Sequence, residues 1–162
     1  MFFAGRYDEA LLHIERFSEL FPNANGRHLQ GVGVYAAQGK YAQAVEGYLA
    51  HLKQTGVKPE RIQKLKESYE KSGWDGFGRA YQEFSLETLK TIQETDRNSY
   101  VKSSDFALAY AFGKDKDKCI EYLNKAYDER LHDVLFLKDR RWDFMRDDPR
   151  FKELVRKVGI PE

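Results

Sequence analysis

The hexamer GRYDEA at residues 5–10 returns as GKYAQA at residues 39–44, thirty-four positions later. A fixed period of this length constrains the chain strongly, because each repeat must bury its apolar face against its neighbour. The residues after each hexamer keep the register. Ile14 and Phe17 stand four and seven residues after Ala10, and Tyr48 and His51 stand four and seven after Ala44. Such steps place all of them on one face of an α-helix. Pro22 closes the first unit, and Gly56 stands thirty-four residues beyond it.

The signature returns twice more with stretched spacing. Ala80 precedes Phe84, and Cys119 precedes Leu123 and Ala126, so the small side chains at 10, 44, 80 and 119 lie 34, 36 and 39 residues apart. A small residue lets a partner helix approach closely, and the larger residue one turn on fills the groove. The partner helices carry their own spacing: Ile62, Leu65 and Tyr69, then Ser103, Phe106 and Tyr110, with His28, Gly31, Val32 and Tyr35 in the second unit. All four prolines (Pro22, Pro59, Pro149, Pro161) fall where helices would start or stop, and none lies between 60 and 148. Long helices are therefore permitted through the middle. Only GVGVYAA alternates in the manner of a strand, and it runs on into alanines with a helical period. The pattern predicts an all-α chain.

These spacings resemble the tetratricopeptide repeat, a helix–turn–helix of about 34 residues. The resemblance implies an α–α superhelix of helix pairs in a single domain spanning 1–162. Its units would cover 1–24 (partial), 25–58, 59–97 and 100–131, with a C-terminal capping helix in 132–162. Gly5 and Gly39 would supply the turns, with Tyr7 and Tyr41 packed beneath them. Two extra residues are expected in the turn of the third unit, GWDGFG, and one in that of the fourth, GKDKDK, after a longer lead-in. The first unit lacks its opening helix. A narrower resemblance covers LAYAFGKDKDKCIEYLNKAYDER and FLKDRRWDFMRDDPRFKELVRKVGI. This stretch is similar to the tail of a bacterial group of such proteins, in which it often follows a winged-helix transcription-activator or serine/threonine kinase domain. Arg146, Asp148, Pro149, Arg150 and Phe151 carry the likeness.

Read physically, RDDPRF is a helix start. Asp148 suits the cap and Pro149 the first helical position, where no donor is needed. Phe151, Leu154, Val155 and Val158 then form a stripe fit to cover the last repeat, with Trp142, Phe144 and Met145 anchoring the tail. Asp147 and Asp148 would make a carboxylate pair, but no further ligands accompany them. GWDGFG is neither Gly-x-x-x-x-Gly-Lys-Ser/Thr nor a dinucleotide fingerprint after a strand. Trp74 and Phe77 are expected to pack inward there. His13, His28, His51 and His132 include no pair at ligand spacing, and one cysteine makes no zinc site. Cys119 reads as a buried structural thiol. With no Gly-x-Ser-x-Gly either, the expectation is a chain without catalytic residues, metal or cofactor, and not an enzyme.

Charge adds little pull toward a polyanion. The net charge is +1 with 33% charged residues, and residues 130–157 hold nine Lys/Arg against six Asp/Glu. A nucleic-acid surface would need a larger, clustered excess. No apolar run approaches the ~20 residues of a membrane span and no signal peptide is visible, so a cytoplasmic protein without membrane or nucleic-acid partners is expected.

The repeat resemblance implies that a peptide or protein segment binds a concave groove lined by the first helices. The groove would present Leu29, Gly33, Ala36 and Ala37 from the second unit, and Gln63, Glu67 and Glu70 from the third. Ser104, Leu108 and Phe112 would come from the fourth. Its glutamates favour a basic ligand. The tail resemblance implies a different role, a sensory or regulatory domain of a larger bacterial transcription regulator or kinase. Finally, Ala10, Ile14, Phe17 and Phe21 lack a partner helix, since Phe2 and Phe3 are too few to cover them. Either a larger parent chain or a homodimer across a two-fold axis at this end would bury that face.

Overall fold

The chain turns twice in the same way, and those two turns organise what surrounds them. The computed structural model describes residues 6–21, 29, 31–96 and 99–160. Gly5, with Phe2, Phe3, Pro22, His28 and Pro161, lies outside the described residues. The helices are α1 (Tyr7–Leu20), α2 (Val32–Ala37), α3 (Tyr41–Gln54), α4 (Pro59–Thr95), α5 (Ser103–Phe112), α6 (Lys116–Asp128) and α7 (Pro149–Val158), with 3₁₀ turns at His132–Phe136 and Arg140–Met145. No strand occurs among the described residues, and the alternating stretch at 31–37 is mostly the helix α2. None of the described helices is long and apolar enough to cross a membrane.

Helix α2 pairs with α3, and α5 with α6. In the first pair the Lys40 N–H reaches back to the Tyr35 carbonyl at 2.9 Å and Gly39 N–H to Ala36 at 3.1 Å. Seventy-five residues on, Asp115 N–H reaches Tyr110 at 3.2 Å and Lys114 N–H reaches Ala111 at 3.1 Å. Gly39 and Lys114 both sit at left-handed φ, +72° and +59°. The second helices end alike too, with Val57 bonded to Leu52 and Leu131 to Ala126, each at 3.0 Å, beside left-handed Gly56 and Arg130. These reversed bonds satisfy carbonyls that a helix end leaves orphaned. Of the small residues expected at the helix contacts, Ala44 and Cys119 are fully buried and Ala10 is buried, but Ala80 is only half-buried.

Two expectations about turns are corrected. Residues 113–115 connect α5 to α6 with the same length as residues 38–40, so GKDKDK carries no extra residue. The added spacing falls before α5. GWDGFG is no lengthened turn either: α4 is two helical stretches, 59–71 and 74–95, that meet at non-helical Ser72 and Gly73, so the break falls at the first glycine of GWDGFG and the rest of it is helical. Gly73 has φ +60° and ψ −153°, a region open essentially to glycine alone. Beyond the kink Phe77 is fully buried, with its ring 5.7 Å from Tyr48 and 5.8 Å from Trp74. Trp74 is half-buried and stacks on Tyr41 at 5.1 Å.

The chain divides into two compact units, Met1–Phe77 and Gly78–Glu162. In the first, Val32, Val34, Ala44, Val45 and Leu52 form the buried side of the α2–α3 pair. In the second, one core joins Ala107, Cys119 and Leu123 to Trp142, Met145, Phe151 and Leu154. The residues at the start of α7 explain why it begins there. Asp148 accepts the Arg150 N–H at 2.9 Å, Pro149 takes the first helical position, and Phe151 and Leu154 are sealed at 2% and 1% exposure. Val155, Val158 and Phe144 pack partly buried against the same core.

Candidate interaction surface

The residues expected to line a groove lie in both units. In the first unit Leu29 is half-buried, Gly33 of α2 is exposed, and Ala36 and Ala37 are half-buried. Gln63, Glu67 and Glu70 stand exposed on the opening turns of α4. The Gln63 amide donates to Glu67 Oε1 at 2.9 Å, and Lys66 lies 3.8 Å from Glu70. Carboxylates at 67 and 70 share a helix face by their spacing of three. Two exposed carboxylates result, set among Lys64, Lys66 and Lys71, which are exposed on the same stretch.

The residues from the second unit have other tasks. Ser104 is 3% exposed, and its hydroxyl donates to Asp133 Oδ2 at 2.8 Å. It ties α5 to the 3₁₀ turn that comes after α6. Burial works to raise the Asp133 pKa, but Ser104 and the Lys102 ammonium outweigh it and hold the carboxyl below its ordinary value. Leu108 packs against the core of this unit. Phe112 is half-buried with its ring 4.5 Å from Tyr81.

The open spaces of the second unit lie elsewhere. A cleft of about 480 Å³ is lined by Lys90, Tyr100, Ser103, Phe106, Tyr122 and Glu129 among others. Its floor is aromatic, since the Tyr122 ring stacks on Phe106 at 5.0 Å and on Tyr110 at 5.5 Å, with the Lys125 ammonium 4.5 Å from its centroid. Glu129 closes one end, accepting the Ser103 hydroxyl at 2.7 Å and the Tyr100 hydroxyl at 2.9 Å. A larger cleft, about 650 Å³, opens at the end of α6 between Tyr127, Leu131, Val134, Leu135 and Val158. Sequence spacing does not single out these linings. Tyr122 lies one residue before Leu123 of the core stripe, and Glu129 meets a helix start twenty-six residues away, a pairing no local pattern carries.

Among the described residues no group of three or more His, Cys, Asp or Glu is placed to hold a metal ion. The Cys119 thiol donates to the Ala107 carbonyl at 3.5 Å, and burial pushes its pKa up to about 12. A thiol held neutral in this way is a poor nucleophile. No protein-family model matches the chain, and neither a curated protein nor a solved structure matches it.

Proposed function

We propose that the chain is a non-catalytic interaction module of tetratricopeptide-like helix pairs, stacked as a superhelix, that binds a peptide or protein segment. The observation that carries this reading is the recurrence of one hairpin. Turn hydrogen bonds, left-handed positions and a buried small residue at Ala44 and Cys119 all return at nearly the same offset. Repeating pairs of this kind present rows of side chains from their first helices, a surface suited to an extended or helical segment. The exposed carboxylates of Glu67 and Glu70 give that surface its charge preference, so the segment is basic.

A panel of short Lys/Arg-rich peptides of varied apolar content, titrated by fluorescence anisotropy, tests the reading. Reversing Glu67 and Glu70 to Lys should weaken the best binder by about 1–3 kcal/mol while helicity stays constant. Equal affinity in the reversed variant would remove Glu67 and Glu70 from the proposal.

A further inference from the structure

The break inside α4 has an unusual geometry. Helical dihedrals hold on both sides of it, and only Ser72 (φ −139°, ψ 18°) and Gly73 (φ 60°, ψ −153°) depart from them. In a continuous helix Ser68 and Gly76 would stand about 12 Å apart along the axis. Here a Cβ on Gly76 would lie 2.5 Å from the Ser68 carbonyl oxygen and 2.5 Å from the Ser72 Cβ. The chain therefore doubles back at Ser72 and Gly73, and the stretch 74–95 starts out packed on the end of 59–71.

Contacts that hold this closed joint all lie inside the unit Met1–Phe77. Gly76 rests on the Ser68 backbone, Trp74 stacks on Tyr41 at 5.1 Å, and the Phe77 ring meets Tyr48 at 5.7 Å. The joint itself works against them. Gly73 holds a conformation that costs any other residue dearly, and so tight a reversal forfeits hydrogen bonds that a continuous helix would make. Straightening the joint would recover those bonds but pull Trp74 and Phe77 off Tyr41 and Tyr48. Phe77 is fully buried, and water is a poor substitute for what covers it. The surface that fits these side chains unchanged is the same Tyr41–Tyr48–Ser68 face on a second copy.

We propose that Ser72–Gly73 is a swap hinge. Its second state is one continuous helix over 59–95, and two opened copies exchange the chain from Trp74 onward. Each copy then seats Trp74, Gly76 and Phe77 on the Tyr41, Ser68 and Tyr48 of the other. These closed contacts are remade between copies, so the exchanged dimer differs from two monomers at the joint, where helix replaces the reversal. Exchange of an identical element is a low-cost route to a dimer, and short strained connections invite it. Glycine at 73 keeps the closed form ahead, because a residue without a Cβ adopts that conformation at little steric cost. This one position sets the balance between monomer and exchanged dimer.

Size-exclusion chromatography with light scattering on the full chain, refolded from urea at low and at high micromolar concentration, tests the hinge. Gly73→Ala penalises the closed joint and favours helix through it in both copies, so its dimerisation constant should rise about a hundredfold or more over the wild type. Two glycines inserted between Ser72 and Gly73 relax the closed joint and spoil the continuous helix, and that variant should stay monomeric at both concentrations. Reversal requires exchanged segments to unfold from each other, so the dimer should persist after dilution. A folded, monomeric Gly73→Ala protein would overturn the proposal, as would a dimer that dissociates at once on dilution or one that the insertion leaves intact. Should circular dichroism show Gly73→Ala misfolded, the wild type decides. A persistent dimer fraction formed on refolding at high concentration, and absent from the insertion variant, supports the hinge; wild-type monomer alone under both conditions overturns it.

Discussion

Glu129 holds the start of α5 from outside that helix. Lys102, at the N-cap, makes no side-chain cap bond, yet the Glu129 carboxylate accepts both the Ser103 hydroxyl at 2.7 Å and the Ser103 N–H at 3.4 Å. An anion at a helix N-terminus meets orphan donors and the favourable end of the dipole. The Ser103 and Tyr100 bonds hold its pKa below the ordinary carboxylate range. A group with a lowered folded pKa adds stability above its unfolded value of about 4.3, and loses it as pH falls through the folded value. Glu129→Gln should therefore cost about 1 kcal/mol at neutral pH, solvent screening keeping it small, and the gap should narrow below about pH 4. Melting temperatures across pH check this, and an equal gap at both ends would assign the residue to packing instead. Its neighbour Arg130 makes a sharper test. At φ +56° it occupies a position where Gly56 stands in the other hairpin. The left-handed conformation costs a side-chain-bearing residue roughly 1–2 kcal/mol, and glycine recovers only part of that because its unfolded chain is freer. Arg130→Gly should raise stability by up to about 1 kcal/mol in urea unfolding; a loss would show that the arginine side chain makes a contact worth more than the strain.

Among the elements, those fixed by local spacing are the legible ones. Ala44 and Cys119 sit where four-and-seven steps put them, and α7 begins at the cap that Asp148 and Pro149 announce. The kink at Gly73 is not legible, because glycines in GWDGFG meet two different needs that composition cannot separate. Gly73 supplies a conformation, whereas Gly78 supplies space: a Cβ there would lie 2.3 Å from the Phe112 carbonyl oxygen. Ser104 misleads for a related reason. Its helical register suits an open groove, yet Asp133, twenty-nine residues away, draws it inside. A face can be read from period; what covers it cannot. Gly78→Ala discriminates the two roles of glycine by sign. In an open helix interior that change adds about 1 kcal/mol of stability. Against a fixed backbone carbonyl, overpacking should instead destabilise by about 1–3 kcal/mol, read from the shift in denaturation midpoint. A more stable variant would mean that the end of α5 gives way without cost and that Gly78 is not there for space.

At the scale of the whole chain, the repeat period is visible in the sequence but the division after Phe77 is not, since no linker composition marks it and the helix α4 runs across it. The division has consequences for how the molecule opens. In arrays of helix pairs, stability is a sum of local terms and nearest-neighbour contacts, so a local defect is felt locally first. Leu154 of α7, 1% exposed, packs with the cluster of the second unit that holds Cys119, Trp142 and Met145. Leu154→Ala removes buried methyl groups and leaves a cavity, a change that costs about 2–5 kcal/mol. Native-state hydrogen exchange then reports where that cost falls. Amides of α6 and the 140–145 turn should lose protection by the full amount, while those of α3, whose buried side is Ala44, Val45 and Leu52, should keep theirs. An equal loss of protection in α3 and α6 would show that the two units open as one cooperative body, and that their separate cores do not mark separate folding units.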